Sequence, residues 1–374
     1  MTNLETQKDS SEPMTLSEDQ SQAFDKMKAW MRGEYQKGEN LSLGGYAGTG
    51  KTTLLKLLME DTDLFVHVMS LTGKACSVLV KKGVAAQTIH SSIYHVHIEK
   101  KKPVFTLRSH IEDTPKLLII DEASMVSTEV YRDLLSFSIP ILWVGDHGQL
   151  EPVGRNPGVM KNPDIRLEKI HRQAEGNPII MFADRIRKGA IPQAIASSKD
   201  TQVSVIPKAK ANLSLGDVDQ VIVAMNRTRV RINKAIRASL GRQLDRPTVG
   251  DRVICLKNKR NEGLFNGLQG VIKQIYFDKS WPVAQAQIML ESGRLWEGEL
   301  LTEQFNRPKG LVEPDKALWK ASYWDYAYAI TCHKSQGSEW PRVLVLEEKC
   351  PLWEMPRWRY TAVTRAAEEL VYAY

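Results

Sequence analysis

Gly45, Tyr46, Ala47, Gly48, Thr49, Gly50, Lys51 and Thr52 form a complete G-x-x-x-x-G-K-[ST] run. A short apolar stretch from Leu41 reads as a strand before it, and Thr53 opens a leucine-rich stretch that reads as a helix after it. That strand–loop–helix context gives the pattern its chemical meaning. Glycines let the backbone turn its N–H groups inward onto phosphate oxygens, and a helix N-terminus adds partial positive charge. Lys51 is placed to reach β- and γ-phosphates, and the Thr52 hydroxyl to help hold Mg²⁺. These residues point to binding of a nucleoside triphosphate.

Four aliphatic residues, Leu117 to Ile120, end in Asp121 and Glu122. A carboxylate at the edge of a buried strand can hold Mg²⁺, generally through water, which assigns Asp121 to the metal. Glu122 is then placed to orient and deprotonate an attacking water. A GTPase does not need that second acid, and a small-molecule kinase must exclude water. Gln149 follows another apolar strand, Trp143 to Gly145, and its amide can donate to phosphate while accepting from water. Gln20 offers one donor and one acceptor that suit an adenine edge. Arg172 and Arg365 are candidates to deliver a guanidinium to the transferring phosphoryl group, a contribution of roughly 10³–10⁵ in rate. In isolation each reads more readily as a surface ion pair.

These groups must be positioned by more than one core, because 374 residues exceed what one ordinary domain holds. Hydrophobic residues at 42% and charged residues at 25% fit a globular chain. No apolar run approaches the ~20 residues that span a bilayer. Residues 1–15 are polar and mixed in charge, unlike a secretory or transit peptide, and read as a disordered lead-in of a cytoplasmic protein. Cys76, Cys255, Cys332 and Cys350 form no C-x-x-C pair and read as free thiols. A net charge of +7 favours a polyanionic partner. His95 and His97 alternate, but without a carboxylate or cysteine partner they make a weak metal site.

The fold class expected is α/β. Periodicity places a helix over residues 16–31 and another over 72–82, with strands at 64–69, 117–120 and 139–144. Short apolar strands alternating with helices imply a doubly wound parallel sheet with ligands at its carboxyl edge. Residues 94–116 break the pattern, alternate in polarity, carry Lys100, Lys101 and Lys102, and turn at Pro103. They read as a two-stranded excursion. A second α/β unit begins at 176, with a strand at 221–225 and a helix at 230–240. Residues 250–320 hold short strands separated by Asn/Gly turns, the pattern of a small β module. The α/β pattern returns at 325–331 and 342–346, and 370–374 is strand-like.

Taken in order, these blocks resemble the superfamily 1 helicases, specifically the 5′→3′ branch of RecD-like and phage Dda-like enzymes. The blocks are Leu16–Gln20, Gly45–Thr52, Leu71–Ala75, Thr88–Ser91, Asp121–Ser124, Gly145–Val153, His171–Gln173, Thr331–Gly337 and Tyr360–Arg365. The resemblance spans nearly the whole chain and implies two RecA-like domains, 16–175 and 176–374, with ATP and Mg²⁺ in the cleft between them. Arg365 and Arg172 would reach ATP bound on the first domain. Thr72, Lys74, His90, Ser91, Thr331 and His333 would line a path for single-stranded DNA. Ser335 would also touch DNA and, with Gln336, couple that contact to the ATP site, where Gly337 is counted among the nucleotide-binding residues.

By the same resemblance, residues 94–116 match a strand-separating hairpin at a single-strand/duplex junction, and 250–320 match an SH3-like β-barrel insert. Phe105 is the candidate wedge, stacking on the opening base pair or packing on its own hairpin. Base–aromatic stacking of ~1–3 kcal/mol is comparable to ~1.4 kcal/mol for one DNA step, so one aromatic traps a melted pair without driving melting. The three lysines hold phosphates or are simply solvated.

The function expected is an ATP-dependent 5′→3′ DNA helicase acting as a monomer. One alternative is a single-stranded DNA translocase that displaces proteins. Another is a DNA-binding motor subunit of a larger recombination complex. Short accessory pieces point to help from a single-strand-binding protein or a replication or recombination partner.

Overall fold

The computed structural model describes residues 16–33, 40–99, 102–151, 156–169, 176–193, 201–211, 218–259, 262–277, 282–312, 320–350 and 353–374, with backbone only for 96–99 and 102–105. The lead-in expected over 1–15 lies outside them.

Helix α1 (Glu18–Arg32) starts with a capping box, in which Ser17 and Gln20 each accept the other's backbone N–H. Strand β1 (Asn40–Gly45) runs into the phosphate-loop sequence, and α2 (Lys51–Glu60) leaves it. There follow β2 (Val66–Ser70), α3 (Gly73–Lys81), β3 (Gln87–Thr88), α4 (Ile89–Ile93), β4 (Tyr94–Glu99), β5 (Lys102–Leu107), β6 (Leu117–Asp121), α5 (Thr128–Ser136), β7 (Ile141–Gly145) and β8 (Ile165–Leu167).

Six of these strands make one sheet in the order β3-β2-β6-β7-β1-β8, with parallel pairing throughout. A parallel sheet is covered on both faces, which is why β6 and β7 are apolar without alternation. Leu117, Ile119, Leu142 and Val144 face one core with α1 and α2, while Leu118, Ile120, Ile141 and Trp143 face a second core with α5.

The excursion is the antiparallel pair β4–β5, with Ile98 opposite Pro103 and Val96 opposite Phe105. Pro103 therefore sits within β5, paired with Ile98, rather than at the expected turn. A two-stranded ribbon leaves one edge of each strand without ladder bonds, so proline is tolerated there.

The second α/β unit contains α6 (Pro178–Arg187), β9 (Gln202–Ile206), β10 (Gln220–Val223) and α7 (Asn226–Ser239). Five strands then interrupt it: β11 (Arg252–Cys255), β12 (Gln269–Phe277), β13 (Val283–Leu290), β14 (Leu295–Leu301) and β15 (Trp324–Tyr326). They form their own sheet, ordered β14-β13-β12-β11-β15 and antiparallel, around Trp296 and Trp324.

The chain returns through β16 (Ala329–Thr331), α8 (Cys332–Ser335), β17 (Trp340–Leu346), α9 (Met355–Val363) and β18 (Ala366–Ala373). With β9 and β10 these strands complete a parallel sheet ordered β16-β10-β17-β18-β9. The stretch 325–331, where the α/β pattern was expected to return, is divided between β15 and β16, which lie in two different sheets. Asn233 enforces the break: its amide donates to the Tyr326 and Ala329 carbonyls and accepts the Ala329 N–H.

The antiparallel sheet is anchored to the second unit through a buried ion pair. Arg237 on α7 bonds both carboxylate oxygens of Asp251, at 3.0 and 3.1 Å, and the Tyr328 hydroxyl donates to the same carboxylate at 2.8 Å. All four cysteines are free and buried. Among the described residues no helix is long and apolar enough to cross a membrane.

Candidate functional site

Strands β6, β7 and β1 are neighbours, so Asp121, Gly145 and Gly45 end along one sheet edge, as ligand sites of such sheets require. The loop after β1 turns through Gly48 and Gly50, at φ of +79° and +82°, values that only glycine adopts without strain. Lys51 folds back onto the loop, donating to the Gly45 carbonyl at 2.6 Å and the Tyr46 carbonyl at 2.9 Å. The Thr49 hydroxyl donates to the Tyr46 carbonyl at 2.8 Å, so the loop holds a ring-like shape. Thr52 and Thr53 stand half-buried in the first turn of α2.

Asp121 is pushed up to about 7, by burial first and by the neighbouring Glu122 carboxylate second, with Lys51 opposing. Glu122 adopts φ +54°, ψ +38°, a left-handed conformation unusual for glutamate, and its Oε2 is buried with no hydrogen-bond partner. Gln149 donates to Asp146 at 3.3 Å and leaves its buried Oε1 without a partner. The His147 ring lies 4.1 Å from the Tyr46 ring, and both its nitrogens are buried and unpartnered. Burial lowers its pKa. Unmatched polar atoms are costly in a finished interior, and this concentration beside the phosphate loop marks a site built for a polar ligand.

The second unit reaches this edge through α9. The Tyr360 hydroxyl donates to Asp146 at 2.7 Å and accepts the Ala47 N–H at 2.8 Å. Thr361 accepts the Leu150 N–H at 2.8 Å, Gln336 donates to the Leu150 carbonyl at 2.9 Å, and Arg357 pairs with Glu151 at 3.1 Å. From α6, the Arg187 guanidinium stands 3.7 Å from the Tyr46 ring centre. Gly148 must lack a side chain here, since a Cβ would come within 2.9 Å of Tyr46 and 3.1 Å of Tyr360. Sequence reasoning singled out neither Tyr360, Arg187 nor His147. Their only signal was membership of the right blocks, or, for Arg187, none.

Several expectations change. Gln20 does not present a free amide edge: its Nε2 donates to the Thr49 carbonyl at 3.2 Å and its Oε1 accepts the Ser17 N–H at 3.2 Å. It ties α1 to the loop. Arg365 is buried and turned to its own unit, bonding the Thr361 and Ser338 carbonyls and the Thr364 hydroxyl at 3.1, 3.1 and 3.0 Å. Arg172 lies outside the described residues. Gly337, expected at the nucleotide, lies against Thr72 and Ala75 instead, 3.4 Å from both for an added Cβ.

On the face expected for nucleic acid, Thr72 caps α3 by accepting the Ala75 N–H. Lys74 is not offered to solvent there. Its ammonium pairs with Glu291 at 3.0 Å and sits 4.5 Å from the Trp340 ring centre, which ties α3 to both other sheets. Ser335 is fully buried and donates to the Cys332 carbonyl at 2.7 Å, so its hydroxyl serves its own helix. Thr331 is buried at the start of α8. His333 is half-buried, with its ring 4.9 Å from that of Trp353. Ser91 bonds Thr88, closing the turn of α4. His90 and Tyr94 line an open cleft whose far wall is Lys257 and Asn258 of the antiparallel sheet's first loop. For Phe105 the structure describes only its register opposite Val96.

ATP fits the residues present: a lysine whose ammonium is bonded to loop carbonyls, and buried carboxylate and amide oxygens of Glu122 and Gln149 without hydrogen-bond partners. Mg²⁺ fits as well, because Asp121 and Thr52 stand at the same sheet edge. No cluster of three acidic, histidine or cysteine ligands occurs among the described residues.

A family model described as AAA domain matches residues 15–205, just over half of the chain, and one described as UvrD-like helicase C-terminal domain matches residues 326–372. The ATP-dependent RecD2 DNA helicase of Deinococcus radiodurans is 29% identical over 389 residues, covering 94% of this chain and 48% of that protein. The ATP-dependent DNA helicase dda of Enterobacteria phage T4 is 29% identical over 191 residues, 46% of this chain and 43% of that one. The chain thus spans about half the length of these relatives or less. A structure of Pif1 helicases solved to explain DNA unwinding at forked duplexes superposes with a TM-score of 0.60 at 20% identity, covering 96% of this chain and 92% of that one, which shows a shared fold. With its phosphate loop inside the AAA-domain match, the chain belongs to the AAA-domain family, and it is similar to the superfamily 1 helicases RecD2 and Dda.

Proposed function

We propose that this chain is an ATP-driven motor that moves 5′→3′ on single-stranded DNA and separates strands ahead of it. One observation carries the reading: α9 of the second unit is bonded directly to the phosphate loop and to the 146–151 loop of the first. A change at the triphosphate is therefore felt at once by both parallel sheets, and hydrolysis can become relative motion of two bodies.

In this reading residues 16–175 and 176–374 are the two RecA-like domains. Lys51 and the loop amides bind the β- and γ-phosphates, and Gln149 senses the γ-phosphate. Thr52, and Asp121 through water, would hold Mg²⁺, which would supply neutralisation of phosphate charge. Glu122 holds its unpartnered carboxylate oxygen ready to take a proton from water. Arg365 would swing from its present partners toward the phosphates on closure, and Arg172 is proposed as a second guanidinium there. Gln20 fixes the loop from behind.

Single-stranded DNA is assigned to the face of Thr72, His90, Ser91, Thr331 and His333, with the open cleft between His90 and Lys257 as its passage. The antiparallel sheet over 250–320 would act as an SH3-like clamp across that passage. The hairpin at 94–116, with Phe105, would split the duplex, and work as a monomer is proposed.

ATP turnover measured with and without single strands, followed by displacement of duplexes bearing a 5′ or a 3′ tail, tests the proposal. DNA-stimulated turnover and displacement from 5′ tails are expected. Turnover indifferent to DNA, or displacement only from 3′ tails, overturns it.

A further inference from the structure

We infer that the outer face of α7, with the turn at 306–310 beside it, is a second DNA surface that holds the phosphate backbone of a duplex arm. The inference rests on the reading of this chain as a DNA motor and adds to it a site outside the cleft.

Helix α7 carries five basic residues and no acidic one. They divide by face. Arg229 and Arg237 turn inward and each meets a buried acid, Asp325 at 2.5 Å and Asp251 at 3.0 Å. Arg227, Arg231 and Lys234 lie exposed on the other side, at the i, i+4, i+7 spacing that sets side chains in one row. Among the described residues, the ion pairs made by α7 are those of Arg229 and Arg237. Glu348, the acid at the start of the helix, is taken up by the Ala224 and Met225 N–H groups and the Thr228 hydroxyl. Like charges four residues apart weaken a helix, and an exposed helix ordinarily gains from acids placed between them. A row of cations kept against that local rule calls for a partner of opposite charge.

The neighbouring turn adds to the row. The Asn306 N–H donates to Asp325 at 2.9 Å, and the Arg307 carbonyl accepts from Arg229 at 2.7 Å. One buried carboxylate thus fixes turn and helix together. Arg307 and Lys309 stand exposed on that turn. The row on α7 spans about 10 Å at 1.5 Å per residue, a length over which duplex DNA presents about six charges. The chemistry of the surface selects the kind of DNA. Single strands are held by aromatic side chains that stack on bases as well as by cations. Neither α7 nor the turn at 306–310 has an aromatic residue. Cations alone read phosphates and not bases, which suits a duplex with its bases stacked inside. None of these residues lines the cleft of His90 and Lys257, so the two surfaces do not compete for one phosphate.

The test uses the full chain, as wild type and as the triple variant Arg227→Gln, Arg231→Gln, Lys234→Gln. Glutamine keeps the helix propensity and removes the charge. Equilibrium binding is measured at several salt concentrations to a single-stranded oligonucleotide and to the same oligonucleotide carrying a duplex arm. Wild type should bind the armed DNA at least about fivefold more tightly than the single strand. In the triple variant that advantage should shrink below about twofold, with single-strand affinity within about twofold of wild type. The slope of log affinity against log salt on armed DNA should become shallower by about 2–3, the size of three lost phosphate contacts. The unfolding midpoint should stay level or rise, because like-charge repulsion is relieved. Lys26→Gln with Lys56→Gln, on exposed lysines of α1 and α2, lowers the net charge elsewhere and should leave the advantage in place. No advantage in wild type, an advantage that survives the triple variant, equal losses on both DNAs, the same loss in the lysine control or a lowered midpoint would each overturn the inference. Loss of polyglutamate binding in the triple variant while the advantage survives would give this face to an acidic protein chain instead. A wild type that binds armed DNA while its ATP turnover ignores single strands removes the motor reading and leaves this comparison standing. One that binds no DNA overturns both.

Discussion

Glu122 carries two costs that an ordinary surface residue would shed. Its left-handed backbone is worth about 1–3 kcal/mol of strain, and a buried oxygen without a partner costs about 1–3 kcal/mol more. Both fall on the residue assigned to activate water, one position after the acid assigned to the metal. Glu122→Gln keeps size and backbone while removing the basic oxygen. Turnover should fall by about 10²–10³, with nucleotide affinity retained. The unfolding midpoint should not fall, because a neutral amide is easier to bury. A turnover loss of less than about tenfold would show that the proton goes elsewhere.

Elements here are tied by a few charged pairs whose burial decides their worth. Arg342 on β17 grips Asp219, just before β10, with contacts of 2.9, 3.2 and 3.1 Å. The Arg342 hydrogen bonds hold Asp219 below the usual carboxylate range. A group that is more acidic when folded stabilises the fold above its unfolded pKa and loses that contribution as pH falls through the folded value. The pair is about one-third exposed, so its worth is at most about 1 kcal/mol. Asp219→Asn should therefore lower stability slightly at neutral pH and flatten the acid limb of the stability profile, read from denaturant midpoints between neutral and acidic pH. The Arg237–Asp251 pair is different, since neither partner is exposed. Asp251→Ala strands a buried guanidinium and should cost about 3–5 kcal/mol, seen as loss of the antiparallel sheet in hydrogen exchange. A cost below about 1 kcal/mol would mean Arg237 finds another partner or solvent.

At the scale of the molecule, the proposed function requires that events at the sheet edge reach the face proposed for nucleic acid. Lys74 joins the first unit to the later ones, since one ammonium on α3 meets Glu291, just after β13, and Trp340 of β17. In the proposed motor the ribbon β4–β5 pairs with no other strand among the described residues, so its sheet hydrogen bonds are independent of the two parallel sheets. Phe105→Ala should reduce strand displacement by about tenfold, given ~1–3 kcal/mol for a stacked base, while DNA-stimulated ATP turnover stays within about twofold. Displacement equal to wild type would remove the wedge role.

The local residues already determined much of this. A glycine-rich loop between a strand and a helix, and apolar strands ending in acids, follow from short-range sterics and burial, so Lys51, Asp121, Glu122 and the parallel sheets were legible in order. The tertiary structure decided what each side chain faces. Gln20 and Ser335 turned out to be bonded within the protein, Lys74 to tie α3 to Glu291 and Trp340, and Tyr360 to join α9 to the phosphate loop. The stretch 325–331 divided between two sheets because Asn233, nearly a hundred residues earlier, takes the backbone groups at the break. Local spacing encodes the path of the backbone. Which polar groups meet across a cleft depends on how separately folded cores dock, and that information is spread over residues far apart in the chain.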